Sequence, residues 1–131
     1  MKTVTTPSER LTPQEDSAKS PALEHSRLCA RMALENKANN VLILDMRAIT
    51  PLFDYFVLAT GASRRQIHTL AEEIDAAMRA EGETRHGLEG YEPGKWVVLD
   101  YGDVVVHLFD PEMRGYYVLE DLWADAPRVD F

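Results

Sequence analysis

The features that the 131-residue chain lacks narrow the classes of protein to which it can belong. Cys29 is its one cysteine, which excludes an internal disulfide and indicates a reducing compartment. No apolar run approaches the roughly 20 residues of a membrane span, and residues 1–7 lack the apolar core of a signal peptide. The acidic residues Glu9, Glu15 and Asp16 argue against a transit peptide, which is normally poor in acids. These absences predict a cytoplasmic protein.

Basic residues are scarce as well. Lys and Arg number 14 against 22 Asp and Glu, which gives a formal net charge of −8. Binding of bare nucleic acid depends on a surplus of Lys and Arg, so this balance disfavours it. A basic protein partner fits better through complementary charge, although acidity can also serve solubility alone.

The remaining composition is that of one soluble domain preceded by a tail. Residues 1–19 are rich in Thr, Ser, Pro and charge and hold few apolar side chains, so we predict a disordered N-terminal tail. Residues 20–131 form the predicted domain. Its 45% hydrophobic content, counted over the whole chain, is sufficient for a buried core.

Apolar periodicity and capping residues predict an α/β (α+β) domain. Two or three helices are expected to pack on a mixed sheet of four or five strands. The predicted elements are a helix from Ser20-Pro21 to Asn39-Asn40, strands at 41–44 and 55–59, a helix from the Ser63/Gln66 capping box to Gly82, a weak edge strand at 85–88, strands at 96–99 and 104–109, and a last helix after Asp110-Pro111.

The segment 96–109 is the most informative part of the chain. It consists of two strands that are apolar at successive positions, as in strands covered on both faces, and a turn predicted at Tyr101-Gly102. That turn would place Asp100 and Asp103 opposite each other, where like charges are mildly destabilising. The predicted hairpin is rigid and holds Trp96, Tyr101 and both aspartates at one end.

Three interpretations of Asp100 and Asp103 remain open at this point. Asp100 can cap the turn while Gly102 takes a positive φ. The pair can contact a cationic partner, or it can form half of a Mg²⁺ site, for which no third acid is evident.

Other candidate residues have a structural and a functional interpretation each. Trp96 is either an interface anchor or a core residue, and His107 is most simply a hydrogen-bonded structural residue. The loop 60–65 before a helix could hold an anion, but capping is the better interpretation. No Ser, Cys or second His stands at a spacing that suggests a nucleophile or a zinc site.

Several motifs in one order make the chain similar to the iojap family of ribosomal silencing factors. The matching elements are Asp54-Tyr-Phe-Val-Leu-Ala-Thr-Gly-Ala-Ser-Arg-Arg-Gln66, Glu89-Gly90, Trp96-Val-Val-Leu-Asp-Tyr-Gly-Asp-Val-Val-Val-His107 and Arg114-Gly-Tyr-Tyr-Val-Leu-Glu-Asp-Leu-Trp123. The resemblance spans about 28–129. Two departures lie in the last motif, because Gly115 replaces a larger residue and Met113 a polar one.

The resemblance implies a fold similar to nucleotidyltransferases but without their catalytic acids, metal or cofactor. It implies binding to the large ribosomal subunit through the ribosomal protein uL14, which blocks subunit joining and represses translation when nutrients are short. It also implies a homodimer when free, and neither nucleic acid nor membrane as a direct partner. The implied contact residues are Trp96, Asp100, Tyr101, Asp103, Arg114, Tyr117 and Glu120. The alternative is a Mg-dependent, nucleotidyltransferase-like enzyme that uses Asp100 and Asp103.

Overall fold

The computed structural model describes residues 21–117 and 124–131. The predicted tail, residues 1–19, therefore lies outside the described residues. The elements in chain order are α1 (Pro21–Glu35), β1 (Asn39–Asp45), β2 (Tyr55–Thr60), α2 (Arg64–Ala80), β3 (Gly87–Glu89), β4 (Trp96–Asp100), β5 (Val104–Phe109), α3 (Pro111–Tyr117) and β6 (Arg128–Val129).

One mixed sheet organises the described residues. Its strand order is β3-β4-β5-β2-β1-β6. The central strands β2 and β5 pair in parallel, and the other neighbours are antiparallel. The predicted α+β class is confirmed, but the sheet has six strands instead of four or five. The additional strand is β6, whose two residues pair with Ile43 and Leu44 and are too few to show a pattern in the sequence.

The helices α1 and α2 cover one face of the sheet, which we call the helix face. The predicted apolar stripe of α2 is confirmed, since each of its members is buried: Ile67, Leu70, Ala71, Ile74 and Met78. Cys29 of α1 lies in the same core, and burial raises the pKa of its thiol to about 12. A thiol with that pKa is protonated at neutral pH, so Cys29 acts as a core residue and not as a nucleophile.

Local signals determine the ends of α2 as predicted. Ser63 Oγ accepts a hydrogen bond from the Gln66 N–H at 3.1 Å, and Gln66 Oε1 accepts one from the Ala62 N–H at 2.6 Å. Gln66 thus satisfies the N–H one residue before the N-cap, a small variation on the usual capping box. Gly82 follows the helix with φ +87°. The loop 60–65 is therefore a helix cap, as expected.

The first helix ends earlier than predicted. It begins at Pro21 but ends at Glu35, so the prediction that Asn39-Asn40 ends it was wrong. Lys37 takes a left-handed φ of 67°, and the Ala38 N–H donates to the Ala33 carbonyl at 2.9 Å. This closure ends the helix and leaves Asn39 to begin β1.

The other face of the sheet, which we call the outer face, has its own apolar cluster. Its buried members include Phe56, Leu58 and Phe109, and Met113 of α3 packs against them. Within the described residues, no helix combines the length and apolar character that crossing a membrane requires.

Candidate functional site

The β4–β5 hairpin turns one residue later than predicted. The Tyr101 N–H donates to the Val104 carbonyl at 2.9 Å, so the turn is formed by Gly102 and Asp103. Asp100 therefore lies opposite Val105 and not opposite Asp103. The predicted like-charge pair across the hairpin was wrong, and the mild destabilisation inferred from it does not arise.

The acidic turn is held by two sets of hydrogen bonds. Asp100 Oδ1 accepts from the Gly102 N–H at 2.7 Å, and Gly102 has φ +88°, which is the geometry of the turn cap, one of the three interpretations left open by the sequence. The Asp103 carbonyl accepts from the Asp54 N–H at 2.8 Å and the Tyr55 N–H at 3.0 Å. These bonds fix the turn to the start of β2 and leave the Asp103 carboxylate exposed.

This geometry does not favour Asp100 and Asp103 as ligands of a Mg²⁺ ion. The Asp100 carboxylate is committed to the turn. Within residues 21–117 and 124–131, no group of three or more His, Cys, Asp or Glu side chains is arranged to hold a metal ion. The two aspartates are thus a turn cap and an exposed charge.

Tyr101 points to the helix face and is only 4% exposed. Its hydroxyl donates to Asp75 Oδ1 of α2 at 2.7 Å, and Asp75 also pairs with Arg79 at 3.4 Å and Arg85 at 3.3 Å. Burial, together with this carboxylate, raises the pKa of Tyr101 above its ordinary value. We interpret Tyr101 as an anchor that positions the acidic turn against α2, because its side chain is not available to a partner here.

Trp96 lies at the opposite end of the hairpin from the acidic turn. It pairs with Phe109, whereas Asp100 pairs with Val105. Four strand residues span roughly 13 Å, so the prediction that Trp96 and the aspartates share one end was wrong. The indole is half-buried, and its Nε1 donates to His107 Nδ1 at 3.1 Å.

His107 is a buried, neutral member of the outer face. Its Nδ1 accepts from Trp96, which places the imidazole proton on Nε2, and within residues 21–117 and 124–131 this atom has no hydrogen-bond partner. The ring centroid lies 4.6 Å from that of Phe56. The predicted role of His107 as a hydrogen-bonded structural residue is confirmed, and the hydrogen bond is made by Nδ1. Burial lowers the pKa of His107 from 6.5 to about 4.

This depressed pKa predicts a pH-dependent stability. As the pH falls through 6.5 the unfolded chain protonates His107, whereas the folded chain does so only near pH 4. Stability that is fully present above pH 6.5 is therefore lost progressively towards pH 4. We expect His107 to lower the free energy of unfolding by about 2 kcal/mol between pH 7 and pH 5.

Urea unfolding at the two pH values checks this expectation. His107→Phe keeps a ring of similar size but cannot titrate, so its free energy of unfolding should fall by about 2 kcal/mol less over the same pH interval. Equal pH dependence in the two proteins would contradict the assignment.

Arg114 is buried beneath α3 and ties this helix to the sheet. It is 7% exposed, its Nη1 donates to Thr60 Oγ1 at 2.7 Å, and its Nη2 donates to the Asn40 carbonyl at 2.9 Å. The predicted cap of α3 is confirmed, since Asp110 Oδ1 accepts from the Met113 N–H at 2.8 Å. We interpret Arg114 as a positioning residue for α3.

The remaining implied contact residues lie near the limit of the described residues. Tyr117 is the last residue of α3 in the structure, and Glu120 lies outside the described residues.

Two residues that the sequence interpretation missed join the candidate surface. Val98 is half-buried between Trp96 and Asp100 on the outer face, and Glu89 lies opposite Val98 on the exposed edge strand β3. Alternation along β4 could have indicated Val98. We call the following set the β4 surface: Glu89, Trp96, Val98, Asp100 and Asp103.

Comparisons with known proteins agree with these elements. A family model described as "Ribosomal silencing factor during starvation" matches residues 18–131. The ribosomal silencing factor RsfS of Halalkalibacterium halodurans is 42% identical over 96 residues, which cover 73% of this chain and 82% of that protein. The protein of the same name from Bacillus subtilis is 38% identical over 104 residues, covering 79% and 88%.

Comparison with solved structures agrees with the sequence comparison. A crystal structure of a protein from Chromobacterium violaceum superposes with a TM-score of 0.76 at 36% identity, and the match covers 84% of this chain and 91% of that chain. Sequence and fold thus agree over most of the described residues. The chain belongs to the ribosomal silencing factor family.

Proposed function

We propose that this protein binds the large ribosomal subunit through the basic ribosomal protein uL14 and thereby blocks joining of the small subunit. Repression of translation under nutrient limitation follows from that block. The β4 surface is the proposed contact, with Trp96 and Val98 as its apolar part and Asp103 and Glu89 as its charged part. The proposal includes a cytoplasmic location and a homodimer when the protein is free.

The observation that carries this proposal is the pairing of uncompensated acids with a half-exposed aromatic residue. Within the described part of the chain, neither Glu89 nor Asp103 forms an ion pair, and both are exposed. A basic protein surface would complement these charges and accelerate association. Trp is the residue type most often found as an interface anchor, and Trp96 is held in orientation by its bond to His107.

The proposed mechanism needs no chemical step. A rigid hairpin, fixed at one end by Tyr101 and at the other by Trp96, presents a preformed surface and so loses little conformational entropy on binding. Once it is bound at the subunit interface, the volume of the domain excludes the incoming subunit. Repression would then follow the occupancy of the large subunit.

Charge reversal on the β4 surface tests the proposal. The wild type should co-sediment with purified large subunits and suppress their joining to small subunits. Because both side chains are exposed, Glu89→Lys with Asp103→Lys should fold normally yet weaken co-sedimentation at least tenfold.

The matched control makes the same change of net charge on the helix face. Glu73 and Glu81 are exposed on α2 and at its C-cap. Glu73→Lys with Glu81→Lys should bind within twofold of wild type. Wild-type protein that does not sediment with large subunits would overturn the proposed function, and equal loss in both variants would overturn the β4 surface as the contact.

A further inference from the structure

We infer that the loop between β1 and β2, residues 46–54, supplies a second, apolar anchor for the same cationic protein partner. Its anchor residue is Leu52, with Ile49 beside it in the loop. The inference rests on the proposed function and extends the contact beyond the β4 surface. Sequence motifs did not indicate this loop, because its apolar residues follow no period.

The loop exposes large apolar side chains that the fold does not use. Leu52 is 78% exposed and Ile49 is 43% exposed, whereas the neighbouring Phe53 is partly buried against the outer face. Exposed apolar groups of this size gain free energy only when another surface covers them. Because both lie in one short loop, a partner that covers the loop can bury them together.

The loop is held in place by its own hydrogen bonds. The Ile49 and Thr50 N–H groups donate to the Met46 carbonyl at 2.9 and 3.0 Å. The Leu52 N–H donates to Thr50 Oγ1 at 3.1 Å. Phe53 then stacks on Phe56 with a ring-centroid distance of 4.6 Å. Leu52 is therefore presented from an ordered loop, and its burial would cost little additional ordering.

The loop 46–54 lies next to the β4 surface. Asp100 pairs with Val105, and Val105 pairs with Phe56, so these residues form one row across the outer face. Two strand spacings put Phe56 roughly 10 Å from Asp100. Phe53 stacks on Phe56, and the Asp54 N–H bonds directly to the Asp103 carbonyl.

Interface size allows one partner to cover both features. An interface of standard size buries about 800 Å² on each partner, a patch on the order of 30 Å across. A single interface that covers Asp103 is therefore wide enough to include Leu52 as well.

Charge favours a cationic protein over a second copy of this chain as the occupant. A twofold dimer centred on the loop would bring two copies of the exposed Asp103 carboxylate together, in a chain whose net charge is −8. A basic partner that offers an apolar depression beside a cation matches Leu52 and Asp103 together.

Leu52→Ser tests the anchor without altering charge, and Leu34→Ser is the matched control. Leu34 is also strongly exposed, at 50%, but belongs to α1 on the helix face. Both variants should unfold at the wild-type urea concentration. We expect Leu52→Ser to raise the Kd for large subunits at least fivefold, and Leu34→Ser to leave it within twofold of wild type.

The outcomes separate this inference from the proposed function. If the wild type binds and Leu52→Ser binds equally well, the inference is overturned and the β4 surface stands. If the wild type does not bind large subunits, the proposed function is overturned, and the partner assigned to Leu52 is overturned as well. If Leu52→Ser instead shifts the monomer–dimer equilibrium in sedimentation velocity and leaves subunit binding unchanged, a second copy is the occupant and the inference is wrong.

Discussion

Replacing Gly90 with alanine is expected to lower the free energy of unfolding by about 3 kcal/mol. Gly90 has φ +74°, and a Cβ atom there would lie 2.1 Å from the Trp96 carbonyl oxygen. That oxygen belongs to the backbone of β4, so no side-chain rotation can relieve the overlap. Urea unfolding followed by tryptophan fluorescence measures the loss.

Gly82→Ala is the control for backbone conformation alone. Gly82 also has a positive φ, +87°, but nothing lies within 4 Å of its Cβ position. This variant should lose only about 1 kcal/mol. A loss in Gly90→Ala no larger than that in Gly82→Ala would show that the close approach to Trp96 has no energetic effect.

Arg114→Met is expected to lower the free energy of unfolding by about 3 kcal/mol. Methionine fills much of the volume of the side chain but leaves the Thr60 hydroxyl and the Asn40 carbonyl without the donors that they bond in the native protein. Contact with the Phe109 ring, 5.8 Å from the guanidinium, is weakened as well. Chemical denaturation of the variant measures the effect.

The control is an arginine whose side chain is 66% exposed. Arg79 pairs with Asp75 at 3.4 Å on the surface of α2, and Arg79→Met should cost less than about 1 kcal/mol. Arg114→Lys should not restore stability, because a single ammonium cannot reproduce the two directed bonds of the guanidinium. Full stability in Arg114→Lys would contradict this assignment.

The elements that depend on near neighbours in sequence could be predicted. The capping pair Ser63 and Gln66 and the Asp110 cap of α3 follow from contacts within four residues, and the apolar stripe of α2 follows from the helical period of its apolar residues. The turn cap at Asp100, one of three interpretations of that residue, rests on a local contact of the same kind. These interactions are present whenever the segment folds locally, so the pattern of residue types is sufficient to identify them.

The features that depend on tertiary contacts could not be predicted in the same way. The register of the hairpin is set in part by the Asp54 and Tyr55 N–H groups that reach the Asp103 carbonyl from a distant segment. A shift of one residue moved Asp103 out of the predicted pair with Asp100. Strand β6 forms only because β1 offers a free edge.

The same distinction between local and tertiary contacts applies to the residues of the candidate site. Motif resemblance indicated Tyr101 and Arg114, and the structure shows both side chains buried with partners inside the domain. Burial depends on what packs above a residue, which a motif does not state. Alternation along β4 separates Tyr101 from Trp96 and Asp100 by face and could have given the buried position of Tyr101 in advance.

The parallel pairing of β2 with β5 has a consequence for the order of folding. The two strands are separated in sequence by α2, β3 and β4, so their pairing closes a long loop and is intrinsically slow. The hydrogen bonds from the start of β2 to the Asp103 carbonyl form with it. Before this pairing forms, the acidic turn is not fixed beside the Leu52 loop, because the bonds that join them run from the start of β2. Under the proposed function, only chains that have completed this late pairing would be competent to engage a ribosome.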